Sequence, residues 1–408
     1  PLGLLQSDYD ASQAPHGHLS GGERPWRSCC LKRVAYINKC TRRSYGHVTC
    51  PPQEVDGLDE LKLAIIDTPD CSVSSQFEEF DDEELHLTSF SVTDFAQAIG
   101  MLSEGDADML AMPAELLHGK QVEMLSAGCE VVGARTPRRP NLVLVSDDKL
   151  DYQPRRGIIL AESVLVRRQL RRARGGLRIL SPAAFASICN QDGPEGDSLD
   201  VAKWMEELRE SGEIEGYITS RAVYDSIGSP ARRHALLPDP KDRGGSHFLP
   251  LPYADLVILL ARNRFPSSIT RRVSETEGET CWHVQNQMIS GLDSEMLERV
   301  GILVRHRQVR SLMKQAEEQR DLTLEQACHD TEGEVTETEV HVEFKIEMLS
   351  GNGRHTIGLD RVIKYSEYEH ATISAIKDWD VLLQEVSRPV PKDFYADEEA
   401  PAFIDLEE

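Results

Sequence analysis

The chain of 408 residues is poor in basic charge and in long apolar runs. Lys and Arg number 45 against 69 Asp and Glu, a formal net charge of −24. Phosphate backbones are bound by basic surface, so this balance excludes nucleic acid as a general partner. No apolar stretch approaches the roughly 20 residues of a membrane span, and none is expected. The longest, Leu256–Ala261, suits a buried strand. Walker loops, GxGxxG fingerprints and GxSxG elbows are missing, which leaves P-loop, dinucleotide and hydrolase chemistry without support. The nine cysteines include no CxxC pair. Cys29, Cys30, Cys40 and Cys50, near His16, His18 and His47, therefore do not read as a zinc site, and no metal is expected. An odd cysteine count in a long chain without a recognisable signal peptide points to a reduced, cytoplasmic setting.

What is present is an α/β pattern. Residues 1–58 are rich in Gly, Pro, Ser, Arg and Cys and read as an extension of low order, and Pro389–Glu408 as an acidic tail. Between them, Leu61–Ile66 is a strand, and Val92, Phe95, Ile99 and Leu102 form one helix face stopped by Gly105 before the strand Asp108–Met112. The unit recurs. Leu199, Ala202, Met205 and Leu208 make a helix face, Gly212 ends it, and Tyr217–Thr219 is the strand. Cys129–Gly133, Leu142–Val145, Ile158–Leu160 and Leu177–Leu180 supply further short strands, while Ser181–Ser198 reads as a Pro/Gly/acid loop. Two α/β domains of similar build are implied. Farther on, Val340 to Met348 alternate apolar and polar as a strand with one buried face, and Gly351-Asn352-Gly353 turns into a second strand, Thr356–Ile363. With a helix over Val309–Ala327 and a closing helix through Ile373 and Val386, this is a small α+β domain.

Gly157–Ile179 stands apart. Arg167, Arg168, Arg171, Arg172 and Arg174 fall within eight residues of an acidic chain. Arginine offers a planar fork of donors that matches carboxylate or phosphate bidentately, and a helix start after a strand favours anions. The cluster reads either as a pocket for a ligand with several negative groups or as a solvated helix face paired with the chain's acids. The Glu317-Glu318 dyad, on a polar helix, reads as a solvated face.

Several segments, in order, resemble the porphobilinogen deaminase (hydroxymethylbilane synthase) family. Phe90–Met112 is similar to that family's early helix, E-G-x-x-D turn and strand. GARTPRRPNLVLVS (Gly133–Ser146) resembles RxDPRDAlv, and ESVLVRRQ (Glu162–Gln169) resembles GTSSLRRQ. Glu207–Gly228 and Phe248–Arg262 resemble two later segments, the second with Tyr253-Ala254-Asp255 where the family has GQG. The resemblance runs from about Leu61 to about Arg305. It implies two periplasmic-binding-type α/β domains, 59–145 with 238–265 and 146–237, followed by a small α+β C-terminal domain, 266–388. It also implies a monomer working in tetrapyrrole (haem) biosynthesis, a transferase that condenses porphobilinogen stepwise to hydroxymethylbilane. Arg135, Arg138, Arg167, Arg168, Arg171 and Arg172 would then hold substrate carboxylates. The family's catalytic Asp falls on leucine in Met112-Pro113-Ala114-Glu115-Leu116, leaving the adjacent Glu115 as the catalytic candidate. Its dipyrromethane cofactor hangs from a cysteine, yet the matching Gly291–Met296 has none. Three readings therefore stay open: a transferase, a catalytically impaired homologue binding a polycarboxylate or pyrrole ligand through the arginine cluster, and an unrelated α/β protein with surface arginines.

Overall fold

The computed structural model describes residues 59–240, 245–329, 332–335 and 339–387. The N-terminal extension, its cysteine and histidine group and the acidic tail lie outside the described residues. Two five-stranded sheets share one strand pattern. The first has the order β2-β1-β3-β10-β4, from β1 (Asp59–Ile65), β2 (Leu85–Ser91), β3 (Met109–Pro113), β4 (Cys129–Arg135) and β10 (Val257–Arg262). The second is ordered β7-β6-β8-β5-β9, from β5 (Leu142–Ser146), β6 (Ile158–Ala161), β7 (Arg178–Leu180), β8 (Gly216–Ser220) and β9 (Arg233–Ala235). In each, three parallel strands lie beside an antiparallel fourth, β10 in one and β5 in the other. Each antiparallel strand is the first reached after the chain crosses between lobes, through residues 136–141 and then 236–256. This is the expected pair of periplasmic-binding-type α/β domains followed by a smaller α+β domain. The boundary placed between 145 and 146 needs moving, because β5 pairs with β8 and β9 and so opens the second lobe.

Local sequence accounts for most helix limits. Asp94 caps Phe95–Glu104 by accepting from the Gln97 N–H at 3.0 Å, and Gly105 closes it in the left-handed region at φ 88°. The segment expected to be a loop after Leu180 instead contains the helix Pro182–Cys189. Ser181 caps it by accepting from Ala184 N–H, and Pro182 stands where the missing N–H costs nothing. The long helix expected over Val309–Ala327 is two, Val309–Gln319 and Leu322–Ala327. Arg320 turns left-handed at φ 54° and Asp321 caps the second.

The third domain carries the antiparallel sheet β11-β12-β13, from β11 (Val300–Gln308), β12 (Val340–Leu349) and β13 (Thr356–Lys364). Val342, Phe344, Ile346 and Met348 pack on helices Thr276–Ile289 and Tyr368–Ser387 in a core that runs on into the first lobe, through Leu110, Met112, Ile258 and Leu260. Gly278 lets that helix lie directly on β4, since a Cβ there would stand 2.6 Å from the Arg135 carbonyl carbon. The second lobe has separate cores, one around Val143, Leu160 and Tyr217 and one around Leu144, Ile159 and Ile218.

Both faces of β12 are buried, although its alternation suggested one. His341, Glu343 and Glu347 are all under 4% exposed. Burial alone would raise the Glu343 carboxyl, but Arg305 at 2.6 Å, Lys345 at 3.1 Å and Arg307 at 2.9 Å outweigh it and hold it at about 2. Glu347 is likewise held at about 2, burial being overcome by His247 at 3.0 Å and Arg172 at 2.6 Å. A carboxyl depressed in the folded state contributes stability above its unfolded value and loses it as pH falls through the folded one. Each contribution is at most about 3 kcal/mol. Stability measured by urea unfolding is expected to fall as pH drops from about 4.5 towards about 2. Glu343→Gln and Glu347→Gln should each flatten that slope; an unchanged slope in both would contradict the assignment.

Candidate functional site

The two lobes face each other across a cleft at the carboxyl ends of their parallel strands, where open α/β sheets bind ligands. The cavity measures about 350 Å³, within the range of small-molecule pockets. The first lobe supplies Asp70 and Cys71 beyond β1, and Pro113 and Glu115 at the end of β3. The second supplies Ala161, Glu162 and Ser163 after β6, and Thr219 and Ser220 at the end of β8. Apolar walls come from Leu142, Val166, Met205 and Ile218, and the segment crossing back before β10 contributes Leu251 to Asp255. Ser163 and Ser220 are helix caps, accepting from Val166 N–H and Val223 N–H.

Among the described residues, five carboxylates line the cavity, from Asp70, Glu115, Glu162, Asp255 and Glu298, and no Lys, Arg or His does. Asp255, buried, is committed: its two oxygens accept from Arg138 Nε and Nη2, both at 2.9 Å, and the Arg138 backbone N–H adds a third bond at 2.9 Å. Asp70 accepts from the Ser198 hydroxyl at 2.5 Å. The Glu115, Glu162 and Glu298 side chains have no ion-pair partner among the described residues. Burial and then the charge of Asp70 raise the carboxyls of Glu115 and Glu162, the latter opposed by Arg167. Burial, with Asp255 and Glu115 behind it, pushes the Cys71 thiol up and leaves it a weak nucleophile.

Of the residues singled out from the sequence, Glu115 lies in the cleft and the arginines do not line it. Arg135 donates to Val273 O at 3.1 Å, pairs with Glu275 at 2.9 Å and covers the Phe77 ring. Arg138 is spent on Asp255. Arg167 folds back on the carbonyls of Ala161 and Glu162. Arg168 donates to Leu349 O at 2.6 Å, Arg171 to Gly351 O at 2.7 Å, and Arg172 to His247 O and Glu347, both at 2.6 Å. The expected anion pocket is thus corrected. The cluster sits on helix Val164–Ala173, with Arg171 and Arg172 in its last turn, where cations complement the helix dipole. Its forks meet carbonyls and carboxylates of this same chain.

Nor do the residues fit dipyrromethane. Its carboxylates would enter an acidic cavity, and the cysteine that lines it, Cys71, is buried with its thiol pushed up. Cys281 is fully buried, donates to Val304 O at 3.1 Å and is pushed up to about 12 by burial. Among the described residues no cluster of His, Cys, Asp and Glu could hold a metal ion, and no helix is long and apolar enough to cross a membrane. Sequence reasoning passed over Asp70 and Glu298, which belong to no motif. Glu162 and Asp255 stood inside quoted segments whose interest lay in neighbouring residues.

No family model matches the chain, and no curated protein does. Solved structures do. An ABC-transporter periplasmic substrate-binding protein from Coxiella burnetii is 12% identical, with a TM-score of 0.31, over 55% of this chain and 96% of that one. Lipoprotein Tp32 from Treponema pallidum is 12% identical, with a TM-score of 0.29, over 53% and 89%. The methionine-binding protein MetQ is 12% identical, with a TM-score of 0.29, over 55% and 90%. At such identities and scores the ligand has to be read from the cleft's own residues. The structures named are binding proteins and a lipoprotein, and neither a family model nor a curated relative supports the deaminase resemblance. The assignment to porphobilinogen deaminase and to tetrapyrrole synthesis is corrected accordingly. The cytoplasmic setting is withdrawn with it.

Removing Arg138 would leave the Asp255 carboxylate buried without its partner. Arg138→Ala is expected to cost about 2–3 kcal/mol in urea unfolding, less than the loss of a fully buried partner because the Arg138 side chain is 39% exposed. Arg138→Ala combined with Asp255→Asn should recover part of that loss. A double variant as unstable as the single would mean the charge pair is not what matters.

Proposed function

We propose that this chain is a binding protein that holds a small molecule between its two α/β lobes and recognises it by a cationic nitrogen. The observation that carries the reading is the lining of the cleft: Glu115, Glu162 and Glu298 without ion-pair partners among the described residues, beside Asp70, with Arg138 neutralised by Asp255 and Arg167 turned onto the carbonyls of Ala161 and Glu162. A carboxylate in a partly desolvated cavity binds an ammonium or guanidinium group more strongly than it would in water. Met205, Ile218, Val166 and Leu142 supply apolar contact for the rest of the molecule, and the Ser163, Thr219 and Ser220 hydroxyls supply orienting hydrogen bonds. The ligand-binding half of the earlier alternative is retained, and its anionic ligand and arginine site give way to a cationic ligand on carboxylates.

A thermal-shift panel of primary amines, diamines and guanidines, set against di- and tricarboxylates, tests this. A ligand at a hundred times its Kd stabilises the folded state by about 2.7 kcal/mol, a readily measured shift. Amines or guanidines are expected to stabilise the protein, and Glu115→Gln and Glu162→Gln to weaken binding roughly tenfold each. Because both carboxyls are raised, affinity should begin to fall above the ordinary carboxylate value of 4.5 as pH is lowered. Stabilisation by polycarboxylates alone would overturn the reading.

A further inference from the structure

The first lobe and the third domain share one apolar core, whereas the larger apolar clusters of the second lobe are, among the described residues, separate from it. The second lobe meets the third domain through helix Val164–Ala173. Near its start the Leu165 N–H donates to Glu298 O at 3.2 Å, with Leu165 and Leu249 lying over Gly301. Along its C-terminal half the contact is polar. Arg168 and Arg171 reach the carbonyls of Leu349 and Gly351, Gln169 donates to Glu347 Oε1 at 2.9 Å, and Arg172 pairs with the same carboxylate. The turn after β12 lies directly on the helix, since a Cβ on Gly353 would stand 2.5 Å from Arg168 O and 3.0 Å from Arg172 N.

Two properties of this contact matter. Hydrogen bonds to carbonyl oxygens can be replaced by water at small cost, and polar inter-domain contacts generally permit relative motion where a continuous apolar core does not. The helix also joins two places. Ser163, Val164 and Val166 at its start line the cleft, and its ten residues span about 15 Å to the arginines at its other end.

We infer that helix Val164–Ala173 is a releasable clasp. The first lobe and third domain form one body, and the second lobe swings against it about the connections at 136–141 and 245–256 when the arginines let go of β12 and its turn. The third domain thereby sets the aperture of the cleft. The motion itself does not depend on what the cleft binds.

Hydroxyl-radical footprinting and small-angle scattering of the full chain, as wild type, Arg172→Ala and Arg171→Ala, test the clasp. Leu165 and Leu349 are fully buried at the contact, while Leu144 and Ile159 are fully buried inside the second lobe. In Arg172→Ala the modification rates of Leu165 and Leu349 are expected to rise about threefold or more, and the radius of gyration to increase, with Leu144 and Ile159 still protected. Arg171→Ala, which removes a single bond to a carbonyl, should give the same pattern more weakly and decides the matter if Arg172→Ala does not fold. A rise at Leu144 and Ile159 as well would show that the contact maintains the lobe's own fold. No rise at Leu165 and Leu349 in either variant would show that it does not hold the lobes. Either outcome overturns the proposal.

Discussion

The Arg138–Asp255 pair is the constraint on which the cleft depends. Its two residues sit on the two segments that cross between the lobes, so one bidentate contact fixes both connections at once. Holding Asp255 there requires a left-handed backbone, φ 55°, two residues after Tyr253 at φ 60°. Residues other than glycine adopt that region at a cost, which persists only where the surroundings enforce it. Here the surroundings are explicit: three bonds from Arg138 to Asp255, and the Tyr253 N–H donating to Gln285 Oε1 at 2.7 Å. The Arg138 fork also reaches the Ser75 hydroxyl at 2.7 Å, which ties the short helix Ser74–Phe77 after β1 to the same point.

That pair also decides the sign of the cleft. A cation whose donors are consumed by a buried carboxylate no longer offsets its neighbours, so the cavity is governed by Glu115, Glu162, Glu298 and Asp70. The arginines of helix Val164–Ala173 could have countered them had they faced inward. Arg168, Arg171 and Arg172 are turned the other way, towards β12 and its turn, while Arg167 folds back on the carbonyls of Ala161 and Glu162. An acidic cleft and an arginine-rich clasp are thus two ends of one arrangement of charge.

Much of the fold was legible because it rests on local rules. The apolar spacing of Phe95, Ile99 and Leu102, the glycine stop at Gly105 and the alternation from Val340 to Met348 are each the direct imprint of a helix face, a left-handed cap and a strand. The Gly351–Gly353 turn was read correctly as a hairpin, but its second role, receiving Arg171 on the Gly351 carbonyl, needs a partner 180 residues away. The arginine cluster was misread for the same reason. A guanidinium fork fits a ligand carboxylate, a protein carboxylate or a carbonyl equally well, and composition does not say which lies opposite. Glu298 is harder still. It enters the cleft only because β11 starts beside the second lobe, a fact of tertiary packing with no local signal.

The polar face of β12 shows why the clasp is built from charge. A buried ion pair generally gains little over well-packed apolar residues of the same volume, because desolvation offsets most of the attraction. Glu347 with Arg172 and His247, beside carbonyl acceptors along the C-terminal half of the helix, is therefore a poor means of making the second lobe adhere permanently. It is a good means of fixing register. Each fork finds its acceptor in one arrangement, and in a displaced lobe water takes the place of those acceptors. The apolar core beneath the other face of β12 has the opposite character, binding the third domain to the first lobe through Phe344, Ile346 and Met348 without a charged group among them. One strand therefore presents a permanent attachment on one face and a reversible one on the other. The period-two alternation of its sequence is what separates them.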